Sequence, residues 1–140
     1  MFIGEYLHTI DEKSRLAIPI KFRPELSGGA VVTKGLEGCL FLYTLVEWQK
    51  WAEKINAMPV SQKSARAFSR MMLGGAMDVE VDKQGRIVLP KYLVEYAGLS
   101  HNVIVAGLFN RLEIWDAKAW QEYKDATEKE SEVLAEQLFI

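Results

Sequence analysis

His8-Thr9-Ile10-Asp11-Glu12-Lys13-Ser14-Arg15-Leu16-Ala17-Ile18-Pro19 and Val79-Glu80-Val81-Asp82-Lys83-Gln84-Gly85-Arg86-Ile87-Val88-Leu89-Pro90 write one pattern twice, 71 positions apart. Aspartate, arginine and proline are identical, and the apolar positions around them agree. After one inserted residue the correspondence resumes 72 positions apart. Val31-Val32-Thr33-Lys34-Gly35-Leu36 answers Val103-Ile104-Val105-Ala106-Gly107-Leu108, and Leu40, Leu42 and Tyr43 answer Leu112, Ile114 and Trp115. Trp48 and Trp51 answer Trp120 and Tyr123. So many matches in one order mark an internal duplication, which decides the architecture before any element is assigned.

Each copy reads alike. A strand (Tyr6 to Ile10; Val79 to Val81) enters a tight loop at Asp11–Arg15 or Asp82–Arg86. A second apolar strand follows, Leu16 to Ile18 or Ile87 to Leu89. Pro19 and Pro90 suit the first turn of a short helix, where a missing N–H costs nothing. That helix ends near Ser27-Gly28 in one copy and at Gly98 in the other. Two strands then form a hairpin, turning at Glu37-Gly38 and Asn110-Arg111. A longer helix closes each copy, with Thr44-x-x-Glu47 as a capping box and Asp116 as an N-cap. Between the copies, Ser61 reads as a helix cap, Gly74-Gly75 as a stop, and Ala67/Met71 and Phe68/Met72 as apolar pairs at helical spacing. The organisation expected is a first unit over 5–50, a connecting helix over 58–75, a second unit over 76–122 and an acidic C-terminal helix over 123–140. One copy has too few strands to hide its edges. The fold class expected is therefore β-rich α+β, with both units forming one pseudo-two-fold β-barrel flanked by helices.

Asp-x-x-x-Arg between two short strands, followed by an apolar-x-apolar-Pro run, resembles the DNA-binding unit of the AbrB/SpoVT superfamily. Two such units in one chain of this length, entered directly from Met1-Phe2, resemble the MraZ family. Further likeness lies in Leu40-Phe41-Leu42-Tyr43 with Trp48, in Arg66 to Gly74, and in Gly107-Leu108-Phe109-Asn110 with Glu113-x-Trp115-Asp116. It reaches to about Glu122 and leaves the acidic tail as the least characteristic part. The resemblance implies a cytoplasmic, nucleoid-associated regulator, commonly a repressor. It also implies a ring-forming homo-oligomer that binds short repeated promoter boxes of the division and cell-wall gene cluster. The family loop reads Asp-x-Lys-Gly-Arg, from which Ser14 and Gln84 depart. A residue with a Cβ visits positive φ less readily than glycine, so Ser14 argues against such a turn in the first loop. Lys83 stands one place before the missing lysine.

The loop chemistry points the same way. Arginine presents a rigid fork of donors that fits guanine O6 and N7 or a phosphate, and a two-stranded ribbon fits the major groove. Arg15 and Arg86 are thus the candidate DNA-reading residues, with Lys13 and Lys83 as phosphate partners. DNA would repel Asp11 and Asp82, which suit a loop-structuring role through turn N–H groups. The plainer reading of each arginine is an ion pair with the aspartate four residues earlier. Lys63, Arg66 and Arg70 form one basic helical face, open to phosphate contact, subunit contact or simple solvation. Lys21, Arg23 and Lys91 follow the prolines and could flank DNA.

Composition narrows the classes. With 140 residues, 49% hydrophobic and 26% charged, the chain has the balance of a globular protein with a core. The net charge of −2 is unevenly spread: from Glu113 onward eight acids face three lysines, leaving +3 on the first 112 residues. Glu5 and Asp11 interrupt any N-terminal signal, and no apolar run reaches the roughly 18 residues of a membrane span, so neither export nor a membrane partner is expected. Cys39 has no partner for a disulfide and reads as a buried, inert thiol. Trp48, Trp51, Trp115, Trp120 and Tyr123 read as core or interface rather than base-stacking platforms. His8 and His101 stand apart from each other, and no zinc spacing, phosphate loop or serine–histidine arrangement occurs. No catalytic residue, metal, cofactor or small-molecule substrate is expected. The competing class is an oligomeric protein-binding adaptor, which has no reason to place two Lys/Arg loops equivalently.

Overall fold

The computed structural model describes residues 1–139. Its centre is a six-stranded antiparallel sheet in the order β1-β7-β8-β4-β3-β5. The first repeat supplies β1 (Phe2–Thr9), β3 (Ala30–Lys34) and β4 (Leu40–Thr44), and the second β5 (Met77–Val79), β7 (Asn102–Phe109) and β8 (Leu112–Asp116). The two halves interlock. Strand β1 pairs with β7 and β5 pairs with β3, so the first strand of each repeat lies against the third strand of the other. A pseudo-two-fold axis passes between β4 and β8. The remaining strands, β2 (Arg15–Ala17) and β6 (Arg86–Val88), form a separate two-stranded ribbon across the same axis.

Alternation along the strands splits the core into two layers. Leu40, Leu42, Leu112 and Ile114 face one side with Leu16, Ile87, Phe22 and Leu93. Phe41, Tyr43 and Trp115 face the other with Ile55 and Met72. The first side carries the ribbon, the 3-10 turn at Ile20–Phe22 leading into α1 (Arg23–Leu26), and α4 (Lys91–Tyr96). The second carries α2 (Leu45–Asn56), α3 (Lys63–Met72) and α5 (Ala117–Glu128), which bring Trp48, Trp51, Phe68 and Trp120 onto the sheet. A final short helix, α6 (Ser131–Gln137), leaves all its residues without full burial.

Several sequence expectations are met and several are moved. The fold is α+β around one large antiparallel sheet, but it is not β-rich, because the helices hold more residues than the strands. Nor does the expected barrel close: the sheet ends at β1 and β5, and no ladder joins those edges among the described residues. The physical reason is the length of β2 and β6. Pro19 and Pro90, which lack an N–H, stop each after three residues, too short to bridge the edges, so the ribbon caps the sheet instead. Both prolines sit at N-cap positions rather than in the first turn, and Pro24 takes the first turn of α1. The capping box is half made. Thr44 Oγ1 accepts from Glu47 N at 3.2 Å, while the Glu47 carboxylate turns to Lys50. Asp116 caps α5 through Ala119 N. Ser61 is not a cap. Pro59 to Gln62 closes a turn of its own, so α3 starts two residues later behind Gln62, whose side chain makes no cap bond. The first hairpin turns at Glu37-Gly38, both at positive φ. The second turns at Phe109-Asn110, one residue earlier than its polar residues suggested, with Phe109 at φ 65°.

Candidate nucleic-acid interface

The two Asp-x-x-x-Arg loops share one architecture. Asp11 Oδ1 accepts from the N–H groups of Lys13 and Arg15, both at 2.9 Å. Asp82 Oδ1 accepts from those of Gln84 at 2.8 Å and Arg86 at 2.9 Å. Main-chain bonds tighten each loop: Ser14 N and Gly85 N donate to Asp11 O and Asp82 O, each at 3.0 Å. These bonds overdetermine the turn, and Ser14 adopts φ 59° beside Gly85 at 80°. The doubt that Ser14 cast on a positive-φ turn is therefore overturned, because the Asp11 carboxylate and the main-chain bonds around the loop outweigh its modest Cβ cost. The Arg15 N–H holds the Asp11 carboxyl below its ordinary pKa more than any other group does. The Arg86 N–H does the same for Asp82. Each aspartate thus accepts two N–H groups of its own loop.

The ribbon brings the loops together. Its register pairs Arg15 with Val88, Leu16 with Ile87 and Ala17 with Arg86. Leu16 and Ile87 point inward and are buried, so Arg15, Ala17, Arg86 and Val88 share the outer face. The arginines stand diagonally across the two strands, roughly 7–8 Å apart at Cα. Cross-repeat bonds lock the arrangement, from Ile18 N to Gly85 O at 2.8 Å and from Leu89 N to Ser14 O at 2.9 Å.

Each arginine also makes the plain ion pair. Arg15 Nε donates to Asp11 Oδ2 at 2.6 Å. Arg86 Nε lies 3.5 Å from Asp82 Oδ2, an ion pair too long for a hydrogen bond, which leaves this buried nitrogen without a partner. In both, the pair engages Nε and leaves the terminal fork free. In each loop the aspartate stands where it can aim the guanidinium it pairs with. Lys13 and Lys83 are exposed on their loops at non-equivalent positions, third and second after the aspartate inclusive.

The surroundings of the loops come from the opposite repeat. The first loop borders a cleft of about 650 Å³ whose far wall is Val94, Leu99, Ser100 and His101. The second borders one walled by Ile20, Arg23, Pro24 and Ser27. A Cβ on Gly85 would overlap the Arg23 guanidinium, whose Nε donates to Ile18 O at 2.8 Å. Periodicity within one repeat could not reveal these cross-repeat neighbours.

The basic helix is elsewhere. Lys63, Arg66 and Arg70 ride on α3, which packs on the sheet face opposite the ribbon. Arg66 Nη1 is turned back onto Val60 O and Ser61 O. Trp48, Trp51, Trp115 and Trp120 belong to the core of that same face. Cys39 is buried there, its Sγ donating to Leu36 O, and burial pushes its thiol pKa up to about 12, which makes it inert. Among the described residues no group of three His, Cys, Asp or Glu side chains could hold a metal ion, and no helix is long and apolar enough to cross a membrane.

Comparisons with known proteins identify the family. The family described as "MraZ protein, putative antitoxin-like" matches twice, over residues 1–71 and 72–139. A transcriptional regulator MraZ of Caldanaerobacter subterraneus subsp. tengcongensis is 49% identical over 138 residues, covering 99% of this chain and 96% of the relative. A transcriptional regulator MraZ of a Thermoanaerobacter strain is 47% identical with the same coverage. These relatives carry the name of a regulator, not of an enzyme. With both repeats matched and near-complete coverage at this identity, the chain belongs to the MraZ family.

Proposed function

We propose that this protein is a sequence-specific, double-stranded-DNA-binding transcriptional regulator whose reading heads are Arg15 and Arg86, with Lys13 and Lys83 on flanking phosphates. The observation that carries the reading is the placement of both guanidiniums on one outer face of a two-stranded ribbon. A ribbon of that width enters a major groove, and a Cα separation of roughly 7–8 Å corresponds to about two base-pair steps. Each aspartate carboxylate lies on the Nε side of its arginine, hydrogen-bonded for Arg15 and as a longer ion pair for Arg86, which leaves Nη1 and Nη2 for the bidentate contact that guanine requires. The names of the relatives support regulation of transcription. The family resemblance supports the finer reading: a repressor acting in the cytoplasm on the nucleoid, assembled as a ring on repeated promoter boxes of the division and cell-wall cluster. The basic helix α3, on the opposite sheet face, is assigned to subunit contact or solvent rather than to the same DNA segment.

The test is a binding titration of the whole protein on its own upstream region at two salt concentrations, with footprinting. Specific, salt-sensitive protection of repeated boxes is expected. Arg15→Ala and Arg86→Ala should each cost about 1–3 kcal/mol per engaged site and relax base preference, while Lys13→Ala and Lys83→Ala weaken all sequences alike. A folded, assembled double arginine variant that binds the region as tightly as the wild type would overturn the assignment and leave an adaptor role.

A further inference from the structure

The two loops look equivalent in sequence, yet their walls differ by a charge. Phe22 and Leu93 are both fully buried and donate their N–H to Pro19 O and Pro90 O, which fixes the correspondence of the two short helices. In that frame Arg23 of the first repeat answers Val94 of the second. Because the repeats interlock, Arg23 stands at the second loop, beside Val81, Asp82, Lys83 and Gly85, and Val94 at the first. The loop residues have followed suit. Gly85 is buried beneath the Arg23 guanidinium, which a Cβ there would displace, whereas Ser14 carries a Cβ beside Val94.

Arg23 is also electrostatically unspent. Its Nε is committed to Ile18 O, and among the described residues it forms no salt bridge, while the nearby Asp82 is engaged by Arg86. A half-buried guanidinium with no carboxylate partner, anchored at one nitrogen with its fork beside an exposed lysine, suits an external anion. It lies on the flank of the loop rather than on the outer face of the ribbon, which suits phosphate rather than a base edge.

Resting on the DNA-binding reading above, we propose that Arg23 is a phosphate clamp lent by the first repeat to the second loop. The second loop is then a three-cation contact (Arg23, Lys83, Arg86), the first a two-cation contact (Lys13, Arg15), and the halves of one protomer bind DNA unequally. Each phosphate neutralised contributes about −0.9 to the slope of log affinity against log salt.

The experiment measures that slope for the full-length protein on a short duplex carrying one box and on an unrelated duplex. Arg23→Val, which copies the other repeat, should lower the slope by about 0.9 per engaged loop on both duplexes. With the 1 M intercept unchanged, affinity at 0.1 M salt should fall about eightfold, with base preference intact. Arg23→Lys should keep the slope. Val94→Arg combined with Ser14→Gly adds the missing clamp to the first loop and should raise the slope by the same amount. This arm does not depend on how Arg23→Val folds. Wild-type slope and affinity in Arg23→Val, with Arg86→Ala impaired, overturn the clamp and spare the DNA reading. A wild-type protein that binds neither duplex overturns both.

Discussion

At the scale of single residues, the carboxylates of Asp11 and Asp82 do the work that the turn itself cannot. Each accepts two loop N–H groups and aims an arginine, and both are held below the ordinary carboxylate range chiefly by a backbone donor. The sign of the pH effect follows. A depressed folded-state pKa gives stability that is complete above the unfolded value of about 4 and is lost as pH falls through the folded value. Titration of the two carboxyls by NMR should therefore show midpoints below those of a free aspartate, with the Lys13, Arg15, Gln84 and Arg86 amides losing hydrogen-exchange protection in the same acid window. Ordinary midpoints would mean the loops are held by something else. Asp11→Ala and Asp82→Ala should lower the melting temperature at neutral pH and lose that difference in acid. That these carboxylates accept turn N–H groups is in keeping with their place in a tight loop between two strands. The turn at Ser14 was not legible. Residue type predicts φ only where nothing else constrains the backbone, and here the Asp11 carboxylate and three main-chain bonds do. Relieving that conformation with Ser14→Gly should change stability by no more than about 1 kcal/mol in thermal melts, because the lost αL cost is offset by added freedom in the unfolded chain.

Among the elements, caps show where a pattern of residue types is sufficient and where it is not. Thr44 and Asp116 have a free approach to the following helix and cap it. Ser61 has the same chemistry but lies inside the Pro59–Gln62 turn, so its position relative to α3 is wrong. Thr44→Ala should cost about 0.5–2 kcal/mol of unfolding free energy. Ser61→Ala should stay within about 0.5 kcal/mol. Denaturant titration separates the two, and equal costs would contradict the cap assignments. Strand pairing carries a sharper constraint. Gly107 of β7 lies opposite Gly4 of β1, and a Cβ there would meet the backbone of Phe2 and Ile3 at 2.5–3.0 Å. Backbone cannot swing aside as a side chain does, so Gly107→Ala should cost about 1–3 kcal/mol or more and loosen β1, read by exchange of the β1 amides. The short strands were legible from their apolar runs to within one residue, Leu16–Ile18 and Ile87–Leu89 being expected where Arg15–Ala17 and Arg86–Val88 form. The failure of the sheet to close was not, because closure depends on strand lengths summed across both repeats rather than on any one of them.

For the whole molecule, the duplication told more than any motif, since it fixed two loops and one symmetry axis at once. What it concealed was the exchange: β1 belongs to the first repeat in sequence but to the third strand of the second repeat in space, and the walls of each loop follow that exchange. Apolar side chains remain outside, with Phe109 69%, Leu138 68% and Phe139 96% exposed, which suits the proposed assembly. Assembly would decide how the proposed DNA reading operates. Two or three cations per loop give weak contacts at cellular salt, because affinity falls with every neutralised phosphate. The proposed ring would present many ribbons, and once one is engaged the next would meet its box at a millimolar effective concentration if the spacing matches. Three evenly spaced boxes on one duplex should therefore bind about 10²–10⁴-fold more tightly than one box, with no new contact at either. Inserting about half a helical turn between boxes should remove most of that gain, since it points successive major grooves away from successive ribbons. The measurement is a fluorescence-anisotropy titration of the three duplexes at one salt concentration. Equal affinities for single and tandem boxes would show that each ribbon binds alone, and would remove the reason for placing the loops on an assembly.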